Sequence, residues 1–249
     1  MKVVVLGGTG LVGAQVVERM RGAGHEVMAA SPASGVDTVA GTGLAEAFAG
    51  ASVVVDVVNS RSFEGVREFL ETSTRNALDA ANGQGVGHYV LLSIVGTDHI
   101  TGADYTVGKT RQEELVRASG LAFSIVRATQ FFEFIEILAD GATVDGAVHA
   151  TAAFFQPVAA SEVAEALADV AAAEPLGGTL DVAGPERTTL DEMFRSALAA
   201  TGDPRPVVTD DGFSYFGSPI TRDTLVPVGE HPLRLGDTGY SQWLRLKTE

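Results

Sequence analysis

The chain has 249 residues, is 45% hydrophobic and 20% charged, and contains 29 glycines and no cysteine. It is long enough to bury a substantial core without cross-links, and disulfide scaffolds, thiolate metal sites and thiol nucleophiles are excluded. A net charge of −15 repels nucleic-acid phosphates and anionic lipid, so neither nucleic acid nor a membrane surface is an expected partner.

Only four apolar residues, Val3 to Leu6, follow Met1-Lys2, fewer than a signal peptide needs. The run from Val53 to Val58 is interrupted by Asp56 and falls far short of the ~20 residues that span a bilayer. The expectation is a soluble, cytoplasmic protein.

The apolar run Lys2–Leu6 ends in glycines and reads as a buried parallel strand. Leu11, Val12, Val16, Val17 and Met20 follow at helical spacing, stopped by Gly22 and Gly24. Glu26–Ala30 reads as a second strand, Val36–Val39 as a weak third, and Leu44–Phe48 as a short helix. Ser52–Val58 is the next strand, and Phe63, Val66, Phe69, Leu70, Ala77, Leu78 and Ala81 mark one face of a long helix. Strand His88–Ile94, helix Val107–Ala118 and strand Phe123–Arg127 complete an alternation that predicts a doubly wound parallel sheet.

The second half differs. Thr143–Phe155 reads as a hairpin or extended segment around Asp145-Gly146, and Ser161 is expected to cap a helix reaching about Ala173. Thr179–Val182 adds a strand and Thr189–Thr201 a helix, before a Pro-, Gly- and Asp-rich tail in which Trp243 is expected to dock the terminus. From Glu133 to Glu192 there are twelve acids and one base, Arg187.

Gly7-Gly8-Thr9-Gly10-Leu11-Val12-Gly13 stands between the first strand and the first helix. Glycines at this spacing give a tight turn, let backbone approach a pyrophosphate and aim a helix N-terminus at it. Gly7, Thr9, Gly10, Leu11, Val12 and Gly13 are therefore candidate cofactor ligands in a Rossmann-type α/β fold. The end of the second strand, Ala30-Ser31-Pro32-Ala33-Ser34, carries neither the acid usual for NAD nor the arginine usual for NADP. Ser31, Ser34 and, from a later loop, Arg61 are candidates for a 2′-phosphate, which favours NADP(H) slightly over NAD(H).

Tyr105 and Lys109 stand four apart at the start of a predicted helix, which places them on one face. A nearby ammonium lowers the cost of forming phenolate, so the pair can exchange a proton with a substrate oxygen. Ser93, at the end of the preceding strand, or Thr97 after it, can hydrogen-bond that oxygen.

With these motifs the chain resembles the short-chain dehydrogenase/reductase superfamily, and within it the atypical branch with an NmrA-like domain. The resemblance rests on Gly7–Gly13, Asp56-Val57-Val58-Asn59-Ser60, Ser93, Tyr105 with Lys109, Val126-Arg127-Ala128-Thr129-Gln130-Phe131-Phe132, and Val182-Ala183-Gly184-Pro185-Glu186. It implies that Val57 and Asn59 flank adenine or its ribose and that Ala128, Thr129, Gln130 and Phe131 line the nicotinamide side; Lys109 can also hold the cofactor's ribose. Relatives often carry arginine where this chain has Ser31-Pro32 and aspartate where it has Thr42.

On the substrate side, Phe131, Phe132, Phe134 and Ile135, with Phe154 and Phe155, are candidates for an apolar, aromatic wall suited to a small hydrophobic or aromatic molecule, and Gln130 is a candidate to orient it; core packing is the alternative for any one phenylalanine. Glu133 either orients a substrate or is solvated. The five histidines show no metal-ligand spacing, and no metal is expected. Residues 1–130 are expected to form the dinucleotide-binding core, and 131–249 a small α/β substrate lobe interleaved with it. The expected activity is NAD(P)H-dependent hydride transfer to a carbonyl or quinone. The alternatives are a non-catalytic NAD(P)-binding redox sensor and an epimerase or dehydratase that uses its cofactor transiently.

Overall fold

A computed structural model describes residues 1–249 except Arg61, Glu230, Glu249 and the side chain of Thr248. The candidate phosphate ligand Arg61 thus lies outside the described residues. The chain divides into two compact units: Met1–Ser93 with Asp104–Arg127 and Ser161–Leu180, and Ile94–Ala103 with Ala128–Ala160 and Asp181–Glu249.

The elements begin with β1 (Lys2–Leu6), α1 (Leu11–Gly22), β2 (Glu26–Ala30), α2 (Leu44–Phe48), β3 (Val53–Asp56), α3 (Val66–Gln84), β4 (His88–Ile94), α4 (Asp104–Ala118) and β5 (Phe123–Ala128). They continue with α5 (Ile135–Gly141), β6 (Thr143–Val144), β7 (Ala147–Ala150), β8 (Phe154–Phe155), α6 (Ala160–Ala172), β9 (Gly178–Ala183), β10 (Thr188–Thr189) and α7 (Leu190–Thr201). Short strands β11 (Val207–Thr209), β12 (Ser214–Tyr215), β13 (Ser218–Pro219) and β14 (Leu233–Leu235) precede the last helix, α8 (Tyr240–Thr248).

Seven strands form one sheet in the order β14-β9-β5-β4-β3-β1-β2, a Rossmann-like parallel arrangement. Val3, Val4 and Val5 are fully buried, as a strand covered on both faces requires. β1 pairs in parallel with β2 on one side and β3 on the other. The chain therefore reverses its direction of travel across the sheet at β1, and the carboxyl ends of β1 and β3 flank the switch point where open sheets of this class bind ligands. Behind β3, α3 buries Val66, Leu70, Ala77, Leu78 and Ala81. At Gly108 a Cβ would meet Leu70 Cδ1 at 2.9 Å and Arg67 Cα at 3.2 Å, so glycine there lets α4 lie close against α3.

The segment expected as a third strand, Val36–Val39, is instead a loop closed by one isolated bridge, Asp37 to Thr42. Gly35, Gly41 and Gly43 take φ of 83°, 73° and 73°, and the Asp37 carboxylate accepts the N–H groups of Val39 and Ala40 at 2.9 Å. Those backbone donors are satisfied locally rather than in a ladder.

In the second unit, β6 and β7 form an antiparallel hairpin whose turn residues Asp145 and Gly146 have φ of 49° and 80°. A two-residue turn with both φ positive is the one that matches strand twist. The core gathers Phe132, Ile135, Phe155, Leu190, Phe194, Tyr215 and Leu225. On α8, Tyr240 and Trp243 pack on Phe132 with ring centroids at 5.4 and 5.7 Å. α6 starts at Ala160, one residue before the expected cap Ser161, and the Ala160 N–H donates to both carboxylate oxygens of Glu133 at 3.3 and 3.2 Å. A carboxylate is favourable at the positive end of a helix, and Glu133 has its partner in this role.

Candidate active site

The first unit contains the glycine turn and the tyrosine–lysine pair. Gly7 has a φ of +76°, and a Cβ on it would meet the Val57 carbonyl oxygen at 3.1 Å. A Cβ on Gly13 would lie 2.2 Å from the Gly7 oxygen, and one on Gly8 2.8 Å from Ala29 Cα. These positions accept only glycine because three strand ends and a helix start meet there. Gly10 heads α1 with no side-chain cap and no acid in the first turn, leaving its positive end for an anion. Thr9 and Leu11 are exposed at this end, while Val12 turns into the core.

At the end of β2, Ser34 Oγ accepts the Ser31 N–H and donates to the Ser31 carbonyl oxygen, both at 2.9 Å. Its hydroxyl is occupied locally. Ser31 Oγ is buried at the head of the same capping turn, and its hydroxyl proton is left to give to a ribose hydroxyl or phosphate oxygen. Asp37, the nearest following acid, is engaged with Val39 and Ala40. The glycine cradle, the open helix end and Ser31 together fit a dinucleotide.

Tyr105 opens α4 and is half-buried. The Asn59 amide donates to its Oη at 3.2 Å, and Phe63 meets its ring edge-on at 6.1 Å between centroids. Burial pushes the phenol above its usual 10, with the Asn59 bond acting in the other direction. The free chain therefore holds Tyr105 protonated at neutral pH. One turn along, Lys109 is buried, and its Nζ donates to the Leu92 carbonyl oxygen at 3.1 Å. Burial brings the ammonium down to about 8, opposed by the charges of Asp56 and Glu113.

Asp56 is the last residue of β3 and is 1% exposed. Its Oδ1 accepts the Val58 N–H at 3.0 Å and its Oδ2 the Tyr89 hydroxyl at 2.7 Å. Burial raises its pKa, while Tyr89, Val58 and Lys109 draw it back. Ser93 is fully buried and its hydroxyl donates to Glu113 Oε1 at 2.6 Å. Glu113 also receives Arg127 in a two-bond fork, 2.8 Å each, and Arg117 at 2.9 Å. Arg117 in turn donates to Thr179 Oγ1 at 2.8 Å. Burial opposes the Glu113 charge, but these donors outweigh it and hold its pKa below 4.5. The hydroxyl expected to meet substrate is thus bound into a buried ionic network.

In the second unit, Ala128 and Thr129 are buried, and Thr129 Oγ1 donates to the Gln156 carbonyl oxygen at 2.6 Å. The Gln130 carbonyl oxygen accepts the Val158 N–H at 2.9 Å, leaving the side chain half-buried. Phe132 and Phe155 are 3% and 0% exposed and belong to the core of this unit. Of the expected aromatic wall, Phe131 remains half-buried and stacks at 5.8 Å on Phe134, which is 40% exposed. Thr97 is buried, and the exposed His99 lies 3.7 Å from Asp98. Among the described residues no cluster of His, Asp or Glu is placed to hold a metal ion.

Sequence reasoning assigned no site role to Asp56, Tyr89, Glu113, Arg117 or Arg127. Part of the signal was there: Tyr105, Lys109, Glu113 and Arg117 recur every fourth residue, one polar stripe along α4.

No characterised protein sequence matches the chain. Among solved structures, it is similar to the UDP-glucose 4-epimerase of Thermus thermophilus in complex with NAD, at 19% identity and TM-score 0.64 over 84% of this chain and 86% of that one. A dTDP-4-dehydrorhamnose reductase ortholog from Clostridium acetobutylicum matches at 16% identity and TM-score 0.69, covering 88% and 87%. The dTDP-glucose 4,6-dehydratase of Streptomyces venezuelae, solved with NAD, matches at 19% identity and TM-score 0.66, covering 84% and 85%. At these identities the likeness concerns the fold. The model of the NAD(P)H-binding family matches residues 7–174, more than half of the chain and all of the glycine turn and tyrosine–lysine pair, and to that family the chain belongs.

Proposed function

We propose that the chain is an NAD(P)H-dependent reductase that delivers hydride to a carbonyl or quinone of a small hydrophobic or aromatic molecule. The observation that carries this reading is Tyr105, a phenol held protonated by its surroundings, fixed by the Asn59 amide and one helical turn from a buried lysine.

The bound cofactor supplies the hydride. The open end of α1 binds its pyrophosphate, with Gly7, Gly8 and Gly13 admitting the backbone approach. Tyr105 gives its proton to the substrate oxygen as negative charge develops there. The Asn59 amide orients the phenol and stabilises the phenolate left behind. Lys109, when protonated, lowers the cost of that phenolate. Within the second unit, the stacked pair Phe131 and Phe134 is an aromatic surface of the kind that suits a flat, apolar molecule. The twelve acids between Glu133 and Glu192 weigh against a polyanion. Ser31 offers a hydroxyl at the adenosine end, and Asp37, the following acid, is tied to the Val39 and Ala40 N–H groups, which favours NADP(H) slightly. The cytoplasm, where nicotinamide cofactors circulate, is the compartment that suits this activity. No helix among the described residues is long and apolar enough to cross a membrane.

Purified chain incubated with NADPH or NADH and a panel of quinones and aromatic ketones is expected to consume cofactor. Tyr105→Phe is expected to slow ketone reduction by about 10²–10⁴-fold with cofactor affinity retained. Tight cofactor binding without turnover on any acceptor would refute the reading in favour of a sensor. The structural neighbours named as epimerase and dehydratase support a second reading, in which the cofactor is reduced and reoxidised within one turnover; conversion of a sugar nucleotide with no net loss of NAD(P)H would establish it.

A further inference from the structure

We propose that Asn59 is a specificity-determining residue: with Tyr105 it forms a two-donor clamp for two oxygens on adjacent carbons, so the acceptor class is a cis-vicinal dicarbonyl. This deepens the reductase reading and rests on it.

The orientation of the Asn59 amide is set by its neighbours. Its Oδ1 accepts the Ser60 N–H at 3.0 Å, so the nitrogen is the end turned toward Tyr105, and one N–H donates to the phenolic oxygen at 3.2 Å. Because the phenolic oxygen is the acceptor, this bond does not consume the phenol proton. The other N–H diverges from the first by about 120° and has no acceptor among the described residues. The chain's other two asparagines each donate twice. Asn76 meets the carbonyl oxygens of Thr38 and Val39 at 2.9 and 2.8 Å, and Asn82 those of Leu78 and Ser119 at 3.1 and 3.2 Å. Asn59 is exposed, on a loop braced by its serines. Ser60 Oγ donates to the Ser62 carbonyl oxygen at 2.7 Å and accepts the Ser62 N–H at 3.1 Å, and Ser62 Oγ accepts the Glu64 N–H at 3.1 Å. The same loop brings Phe63, 65% exposed, edge-on to the Tyr105 ring, so an apolar face for a flat molecule stands beside both donors.

Two donor atoms 3.2 Å apart match two acceptors at nearly the same spacing. Carbonyl bonds of about 1.2 Å on a carbon–carbon bond of about 1.5 Å put cis-vicinal oxygens about 2.75 Å apart. Hydrogen bonds of about 2.7 Å from the phenol and about 2.9 Å from the amide then close a four-sided figure without bending either donor far from line. The oxygens of a para-quinone point away from each other across the ring and cannot meet both donors. Hydride from NAD(P)H bonds to one carbonyl carbon, the π pair of that carbonyl moves to its oxygen, and the oxygen takes the Tyr105 proton, which gives an α-hydroxyketone. Asn59 transfers nothing; its open N–H holds the second oxygen. Ser93, the hydroxyl expected at the substrate, is committed to Glu113, which leaves this task to Asn59.

The test measures kcat/KM with NADPH for two matched pairs: phenylpropanedione against propiophenone, and phenanthrenequinone against anthraquinone. Intrinsic reactivity cancels when the ratio within a pair is compared between wild type and Asn59→Ala. The ratio is expected to favour the vicinal dicarbonyl in wild type and to fall at least tenfold in Asn59→Ala, with NADPH affinity within about twofold. Turnover with an unchanged ratio overturns the clamp and leaves the reductase reading intact. An unchanged ratio with NADPH affinity lost also overturns it and assigns the amide to the cofactor. A second readout needs no turnover. With ¹⁵N-asparagine the three side-chain amides give three pairs of signals. In the chain loaded with NADP⁺, phenylpropanedione is expected to shift one Asn59 amide proton, propiophenone to leave it, and Asn76 and Asn82 to stay in place. Absence of that shift overturns the proposal. The shift together with no turnover of any acceptor refutes the reductase reading and leaves the clamp standing.

Discussion

Consider Glu113→Ala. The substitution removes the acceptor for Ser93, for the two-bond fork of Arg127 and for Arg117. The side chains of Glu113 and Arg127 are 3% and 10% exposed, so the guanidinium is left charged and unmatched where water reaches it poorly. Removing one partner of a buried pair costs about 3–5 kcal/mol. For a chain of this size each kcal/mol lowers Tm by roughly 2–4 °C, so a fall of about 6–20 °C is expected by differential scanning calorimetry. Glu71→Ala is the control: its partner Arg75, at 2.7 Å, is 48% exposed, and the loss should stay within about 1 kcal/mol. The penalty also has a pH signature. Because the folded pKa of Glu113 lies below 4.5, its stabilisation is complete above the unfolded value and disappears as pH falls through the folded one. The gap between wild type and Glu113→Ala should therefore narrow on acidification. A loss at pH 7 no greater than that of the Glu71 control would refute the view of Glu113 as the node of a buried network.

Gly13→Ala places a Cβ 2.2 Å from the Gly7 oxygen and should weaken NADPH binding more than tenfold, read by quenching of Trp243 or by calorimetry. Ser31→Asp sets a carboxylate at the adenosine end and should weaken NADPH more than tenfold relative to NADH; equal losses would remove Ser31 from cofactor choice. Lys109 carries a folded pKa of about 8 against 10.5 unfolded. Its depressed value means that the unfolded chain binds the extra proton between those limits, so unfolding near pH 9 should take up close to one proton at this group. Calorimetry in buffers of different ionisation enthalpy measures it.

The sheet was legible because its strands are made of β-branched residues buried on both faces, and its first turn because glycine spacing there is dictated by backbone contacts. The expected third strand failed where Asp37 and three glycines satisfied the chain locally. The Tyr105–Lys109 pair could be read from helical spacing alone, since both residues sit on one element. Asp56 with Tyr89 could not, because their meeting depends on a strand register that pairs Val54 with Tyr89. Ser93 illustrates the same limit in reverse. Its position at a strand end was readable, but its partner lies on a helix twenty residues later. Phe132 was readable as aromatic and not as buried, since its burial is decided by Tyr240 and Trp243 far along the chain.

The two units are woven from one chain that passes between them five times, at residues 93–94, 103–104, 127–128, 160–161 and 180–181. No single cut separates them, so neither can be cloned as a contiguous fragment, and a protease nick between residues 94 and 180 leaves segments of both on each product. Recombination at one crossover would graft an incomplete half onto another. New substrate preferences in such a scaffold are therefore expected to arise by replacement of residues within the second unit, or by insertion at its exposed hairpins, rather than by exchange of a module.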